Sequence, residues 1–244
     1  MIKVNILAVG VHPDDVELSC AGTLLQHAAL GYTFGLLDLT RGELGTRGTA
    51  EIRSREAAAA AQKLGARFRE NLDLPDGFVG SDPDTVRKII SAIRYCQPDI
   101  VLANALSDRH PDHGRSAKLV ADACYYSGLR KIETTDLDGN VQEHWRPQAV
   151  YHYIQDRNRQ PDFVVDITGH FQRKMEAIAC YQSQFNDDQT SAYSAEPTTP
   201  ISGQDFMDFL LAKARNFGRE AGYELAEGFN VGRYPGVQNL FHLD

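Results

Sequence analysis

The stretch I-L-A-V-G-V-H-P-D-D, residues 6–15, joins a short apolar run to a polar turn. The apolar part is far shorter than the ~20 residues that a membrane-spanning helix needs. It is typical of a buried strand in a parallel sheet that is covered on both faces. Helical periodicity follows from Val16 to Gly31. The sequence therefore predicts a strand, a polar turn and a helix in direct succession.

Outward from this unit, strand-like and helix-like segments alternate. Strands are predicted at 34–40, 67–72 and 99–103, and helices at 51–64, 84–96 and within 111–126. This order predicts an α/β fold: a Rossmann-like, doubly wound, mostly parallel sheet. The second half is less regular, with strands near 149–154 and 163–165, helices near 171–184 and 204–222, and a polar surface loop or lid at 186–202.

Composition indicates an ordinary soluble protein that forms one domain over residues 1–244. Hydrophobic residues make up 42% of the chain and charged residues 24%, with a formal net charge of −8. An acidic balance disfavours a surface for nucleic acid or anionic lipid. The four cysteines contain no C-x-x-C pair, so we expect no disulfide framework and no cysteine zinc site. With no export or membrane segment expected, a cytoplasmic location is predicted.

Two histidine-acid motifs follow predicted strands. His12-Pro13-Asp14-Asp15 comes after the first strand, and His110-Pro111-Asp112-His113 after the fourth. Ligands of open parallel sheets bind beyond the carboxyl ends of the strands, where the strand order reverses. If the order is 3-2-1-4, the first and fourth strands are neighbours at that point. The two motifs are then expected to face each other.

The spacing of the motifs indicates a catalytic zinc site, which has three protein ligands and an open position. His12 and Asp15 can point at one ion from a strand-to-helix turn, and His113 supplies the third ligand. Asp14 and His110 then remain free beside the metal, as metal-assisted hydrolysis requires. Either turn alone is also consistent with a capped helix start. Dinucleotide binding is disfavoured, because the first turn lacks G-x-G-x-x-G.

At these residues the sequence resembles the LmbE-like family of zinc-dependent N-acetylglucosaminide deacetylases. The resemblance rests on A-V-G-V-H-P-D-D, L-T-R-G-E-L-G-T-R-G-T, E-I-R-S-R-E-A, D-R-H-P-D-H and A-E-G-F. It is strongest to the branch that acts in bacillithiol biosynthesis on N-acetylglucosaminyl-malate. It implies an enzyme for a small-molecule sugar substrate. It also implies homo-oligomers, often hexamers.

The resemblance also implies roles for individual residues. Zinc, or another divalent metal such as Fe²⁺, is expected on His12, Asp15 and His113, with Asp14 as general base. His110 is expected to stabilise the oxyanion or act as an acid, oriented by Asp112. Arg53 and, less directly, Arg146 are expected to bind the sugar or its aglycone. Some relatives place a tyrosine from the region 186–206 near the site; here Tyr193 and Phe206 both fit that position.

Two other function classes stay open from the sequence alone. One is a different hydrolase, either a metal-dependent esterase or an amidase for another acetylated sugar. The other is a non-enzymatic protein that binds a metal or a sugar. Asp14 argues against the second class, because a binding site has no need of a free carboxylate beside its metal.

Overall fold

A twisted sheet organises the chain. The computed structural model describes residues 2–136, 138–186 and 192–242. Within these residues seven strands form one sheet. They are β1 (Ile6–Gly10), β2 (Phe34–Thr40), β3 (Arg69–Leu74), β4 (Ile100–Ala103), β5 (Ala149–Tyr153), β6 (Phe163–Asp166) and β7 (Ala226–Val231). Their order across the sheet is β3-β2-β1-β4-β5-β7-β6. The first five are parallel, and β7 is antiparallel to both of its neighbours.

Helices connect the strands. They are α1 (Asp15–Ala29), α2 (Ala50–Leu64), α3 (Pro83–Cys96), α4 (Pro111–Ser127), α5 (Phe171–Ile178), α6 (Gln182–Phe185) and α7 (Gln204–Ala221), followed by a 3₁₀ turn at Leu240–His242. Local signals explain their bounds. The Thr49 side chain caps α2 by accepting a hydrogen bond from the Ile52 amide, and Gly65 ends the helix with φ of 83°.

Apolar side chains leave β1 alternately toward two core layers. Leu7 and Val9 pack with α3 and α4 on one face. Ile6 and Ala8 pack with α1 on the other. A strand buried on both faces is what a doubly wound sheet requires. The predicted fold class and the 3-2-1-4 strand order are therefore confirmed.

The second half departs from the prediction in two places. The segment expected to be one helix at 171–184 is two helices, α5 and α6, separated by residues that include the fully buried Tyr181. Strand β7 was not predicted. Its sequence A-E-G-F-N-V contains Glu227, Gly228 and Asn230. These residues interrupt the run of apolar side chains from which a buried strand is predicted. Glu227 is buried because it accepts hydrogen bonds from α1 and from Lys174.

All four cysteines are free. Cys20, Cys96 and Cys124 are buried, and Cys180 is half-buried. Burial raises the pKa of Cys96 and of Cys124 to about 12, and that of Cys20 well above its usual range.

Among the helices of the described residues, none combines the length and the apolar character that crossing a bilayer requires.

Candidate active site

A cleft of about 400 Å³ lies at the carboxyl edge of the sheet. Strands β1 and β4 pair in parallel, with Ile6 opposite Ile100 and Ala8 opposite Leu102. Both histidine-acid motifs therefore emerge at the same edge, as predicted. The cleft is lined by both motifs, by Arg53 and by an apolar wall from α7. A larger groove of about 1070 Å³, between β6 and the end of α7, contains none of the predicted site residues.

Three imidazoles meet in the cleft. The ring centroids of His12 and His110 are 4.7 Å apart, those of His110 and His113 5.2 Å, and those of His12 and His113 5.6 Å. One nitrogen of each ring lies within 4.8 Å of the others. A second set, His12, Asp76 and Asp112, also brings its ligand atoms within 4.8 Å. His12 belongs to both sets and is thus the centre of the polar cluster.

Asp15 lies between two of these histidines. Its Oδ1 is 3.3 Å from His113 Nε2, and its Oδ2 is 3.8 Å from His12 Nδ1. Backbone and side-chain donors hold the carboxylate in place: Val11 N, His12 N, Asn104 Nδ2 and Gln155 Nε2, all within 2.9–3.0 Å. Burial opposes its charge, but His113 and His12 together outweigh burial and lower the pKa of Asp15 below its usual range. An anionic Asp15 thus faces both imidazoles.

Each of the two histidines beside Asp15 has a carboxylate on its other ring nitrogen. Asp108 Oδ2 is 2.6 Å from His113 Nδ1, and Asp76 Oδ1 is 3.0 Å from His12 Nε2. Against burial, Asp15 and Asp108 raise the pKa of His113 to about 10. A carboxylate behind a histidine is the usual support of a metal ligand, because it fixes the ring and its tautomer. The ring nitrogens of His12 and His113 and the carboxylate of Asp15 are donors of the kind that zinc binds. The carboxylates behind the two histidines hold these donors in place.

Sequence reasoning missed Asp76 and Asp108. Both follow strands at the carboxyl edge, Asp76 after β3 and Asp108 after β4. The rule that identified the two motifs therefore applied to them as well. Asp108 even lies within the D-R-H-P-D-H segment. No regular spacing links either residue to its histidine, because the loops that carry them are irregular.

Asp14 has an unusual backbone and a charged partner. Its φ of 118° lies in the region that L-residues seldom adopt, and such conformations persist where the surroundings enforce them. The Arg53 guanidinium forms an ion pair with the carboxylate and also donates from Nε to the Pro13 carbonyl oxygen at 3.1 Å. Burial raises the pKa of Asp14 to about 6, although Arg53 opposes the shift. Arg53 lines the cleft and its guanidinium contacts Asp14.

His110 and Asp112 correct one detail of the expectation. His110 is the N-cap of α4, and its Nδ1 accepts a hydrogen bond from the Asp112 backbone N–H at 3.3 Å. The Asp112 carboxylate faces elsewhere, toward Gly77 N and Arg115. Asp112 thus holds His110 through its main chain, because a capping side chain bonds to an amide of the first turn. Burial and the neighbouring histidines lower the pKa of His110. Because Nδ1 accepts the Asp112 N–H, the ring proton lies on Nε2.

Arg146 is not brought to this cleft. It precedes β5, whose parallel pairing with β4 puts Arg146 at the opposite edge of the sheet. Its guanidinium is exposed and lies 4.3 Å from the Tyr125 ring centroid. This placement corrects the expectation that Arg146 binds substrate. Of the two residues considered for the 186–206 region, Phe206 lines the cleft and Tyr193 does not.

Several known proteins are similar to this chain in sequence or in fold. Residues 7–124 match the family model described as "PIG-L: GlcNAc-PI de-N-acetylase". A solved structure of a conserved protein from Thermus thermophilus is 34% identical, with a TM-score of 0.82 and 97% of each chain covered. The diacetylchitobiose deacetylase of Thermococcus kodakarensis is 26% identical over 96% of this chain and 84% of its own length.

A third relative, the 4-oxalmesaconate hydratase of Pseudomonas putida, is 28% identical over 74% of each chain. Activities of different classes thus occur among proteins similar to this one. The family model covers both histidine-acid motifs, and the likeness in fold extends over nearly the whole chain. The chain therefore belongs to the PIG-L family, the LmbE-like relatives of the GlcNAc-PI de-N-acetylase.

Proposed function

We propose that the chain is a zinc-dependent deacetylase that hydrolyses the N-acetyl group of an N-acetylglucosaminide, with N-acetylglucosaminyl-malate as its substrate in bacillithiol biosynthesis. One observation carries the proposal: the histidines, Asp15 and the buried Asp14 converge at one end of a single cleft. The family description and the deacetylase relative support the reaction class. The malate conjugate comes from the resemblance of the sequence motifs.

In this proposal His12, Asp15 and His113 hold the metal, and Asp76 and Asp108 orient the two histidines. A bound divalent cation supplies Lewis acidity to the acetamide carbonyl and to the attacking water. Asp15 is held by four donors and stays charged, which suits a ligand better than a proton carrier. Fe²⁺ in place of zinc is compatible with the same donors.

Asp14 is the proposed general base. It removes a proton from the attacking water and later delivers that proton to the amine that leaves. A pKa near 6 suits both steps at neutral pH, since the carboxylate is mostly ionised and yet basic enough to accept the proton. The buried Arg53 positions Asp14 through the ion pair. In the protein without substrate Arg53 therefore positions Asp14, and its expected contact with the sugar or the aglycone stays a prediction.

His110 is proposed to stabilise the developing oxyanion. Its Nδ1 is occupied by the Asp112 amide, so the N–H of Nε2 is free to donate. A donor aimed at an oxyanion lowers the activation free energy by roughly 3–4 kcal/mol in comparable sites. A neutral donor suffices for this role, and the lowered pKa of His110 agrees with it.

The test is a product assay with three substrates. Zinc-loaded protein is incubated with N-acetylglucosaminyl-malate, N,N′-diacetylchitobiose and 4-oxalmesaconate, while acetate, free amine and loss of the double bond are followed. We expect acetate and amine in equal amounts from the malate conjugate. Chelated protein and the Asp14→Asn variant serve as controls.

Three other results would each change the proposal. Turnover of diacetylchitobiose alone would keep the deacetylase reaction and remove the malate substrate. Consumption of 4-oxalmesaconate without acetate release from either sugar would replace the deacetylase by a hydratase. In a separate assay with an acetyl ester, hydrolysis of that ester without amide cleavage of either sugar would favour the esterase. The cytoplasmic location and the homo-oligomer, possibly a hexamer, stay predictions.

A further inference from the structure

Among the described residues, three lysine or arginine side chains line the cleft: Arg53, Arg109 and Lys213. Two of them are paired with carboxylates. Arg53 contacts Asp14, and Arg109 Nε lies 2.8 Å from Asp156 Oδ2. Lys213, from α7, donates from Nζ to the Gln155 carbonyl oxygen at 2.7 Å. In the described part of the chain no carboxylate oxygen lies within 4.0 Å of Lys213 Nζ.

The surroundings of Lys213 leave its charge poorly compensated. The side chain is half-buried, and Nζ lies 5.4 Å from the centroid of the Phe209 ring. Burial and the nearby Lys174 lower the pKa of Lys213 to about 7, although the more distant carboxylates of Glu227, Asp108 and Asp156 oppose the shift. A desolvated ammonium group without an ion-pair partner gains strongly when an anion enters beside it. The wall of α7 therefore presents to the cleft an amine that no carboxylate of the described residues contacts directly, and an entering anion stabilises its charged form.

Gln155 connects Lys213 to the polar cluster around Asp15. Its main-chain oxygen accepts from Lys213, while its side-chain Nε2 donates to Asp15 Oδ1 at 3.0 Å. Lys213 is thus one residue removed from the proposed metal site. Phe206, Phe209 and Leu210 of α7 line the same cleft as Asp14 and His110. This α7 wall leaves room beside the proposed metal site for the remaining groups of a substrate.

We propose that Lys213 binds a carboxylate on the aglycone of the substrate. Lys213 thereby selects N-acetylglucosaminides with an acidic aglycone over neutral ones. The inference rests on the proposed deacetylase function and assigns a specificity residue to it. Lys213 takes the role that the sequence suggested for Arg146, which lies at the other edge of the sheet.

The experiment compares two substrates in matched variants. Lys213→Met removes the charge and keeps the length of the side chain. Arg215→Met removes a charge from an exposed position of the same helix. We expect Lys213→Met to lower kcat/KM for N-acetylglucosaminyl-malate relative to diacetylchitobiose by roughly tenfold or more, mainly through KM. Lys213→Arg should restore part of the preference, and Arg215→Met should leave it unchanged.

A binding measurement keeps the inference separate from the proposed reaction. In the Asp14→Asn background, calorimetry gives the Kd of the malate conjugate and of methyl N-acetylglucosaminide with and without Lys213→Met. We expect the added substitution to weaken only the conjugate, by about tenfold. If Lys213→Met does not fold, Lys213→Gln replaces it.

The outcomes are distinguishable. Equal effects of Lys213→Met on both ligands would overturn the assignment of Lys213, even if acetate release is normal. Selective loss of conjugate binding would uphold it, even if wild-type protein released no acetate and the deacetylase reaction had to be given up.

Discussion

At the scale of single residues, Asp14 and Asp15 are neighbours in sequence with different surroundings. Asp15 is fixed by four hydrogen-bond donors and faces two imidazoles. Asp14 is held in a strained backbone conformation against Arg53. The difference separates the ligand from the base, and mutation should separate them too.

Asp15→Ala is expected to lose zinc together with activity, because a proposed ligand is gone. Asp14→Asn should keep near-stoichiometric zinc and lose about 10²–10⁴-fold in turnover, the usual cost of removing a general base. Metal analysis and acetate release on the two purified variants check this. Loss of zinc from Asp14→Asn would indicate that Asp14 is itself a metal ligand. Unchanged turnover of Asp14→Asn would contradict its assignment as the general base.

The carboxylate behind His113 gives a second prediction. Asp108→Asn replaces an acceptor of the His113 Nδ1 proton by an amide of the same size. Loss of such a partner typically weakens metal binding by about 10–100-fold, so we expect a reduction of that size in zinc affinity. Competition with a chromogenic chelator measures the change. Asp122→Asn, at a partly exposed carboxylate paired with Lys118, is the control and should retain wild-type affinity.

At this scale the sequence predicted the motif residues and missed their support. His12, Asp14, Asp15, His110 and His113 share two short motifs at strand ends, and topology alone brings these together. The partners Asp76 and Asp108 depend on loop conformations that no periodicity describes. Arg146 precedes the strand predicted at 149–154, so its position already indicated the edge opposite to the two motifs. The expected role of Arg146 came from the family resemblance alone.

At the scale of elements, one arginine ties a glycine-rich loop to the rim of the cleft. Arg47 is buried, and its guanidinium donates to the carbonyl oxygens of Ser183, Asn186 and Pro197 at 2.8–3.2 Å. The residues just after Pro197, Thr198 to Ile201, line the cleft. Arg47 therefore positions one wall of the site without touching its polar end.

Arg47→Met should loosen the cleft wall at residues 198–201, because it removes the hydrogen bonds to Ser183, Asn186 and Pro197. We expect KM to rise more than kcat falls, because the proposed metal ligands and Asp14 are not contacted by Arg47. Faster cleavage by a protease between residues 186 and 203 is expected in parallel. Arg55→Met, at an exposed position of α2, is the matched control. A fall in kcat with unchanged KM would contradict this role.

The elements themselves were predicted well where their side chains are periodic. Strand β2 has the predicted bounds, and α2 and α3 each begin one residue earlier than predicted. Strand β7 was missed because its buried Glu227 looks like a surface residue in a sequence. The break between α5 and α6 depends on the packing of Tyr181, which is tertiary information.

At the scale of the whole molecule, Glu227 joins the two ends of the chain. From β7 it accepts hydrogen bonds from the Gly22 and Thr23 amides and the Thr23 hydroxyl in α1. Its other partner is Lys174 Nζ at 2.6 Å, and both side chains are 4% exposed. A buried pair of this kind couples the first helix to the last strand.

Glu227→Gln leaves the Lys174 ammonium buried without its counter-charge. Breaking such a pair from one side typically costs 3–5 kcal/mol of the free energy of unfolding, and we expect a loss of about that size. Urea unfolding, followed by circular dichroism, measures it. Glu224→Gln, an exposed position before β7, should change the free energy of unfolding by less than about 0.5 kcal/mol.

The buried free cysteines have a practical consequence. Only a thiolate reacts quickly with a disulfide reagent, and burial keeps the thiols of Cys20, Cys96 and Cys124 protonated and covered. Labelling at each site therefore waits until the surrounding helix opens, so its rate reports the free energy of that local opening. The three thiols lie on α1, α3 and α4. Mass spectrometry of the labelled peptides thus shows which helical layer of the protein opens first.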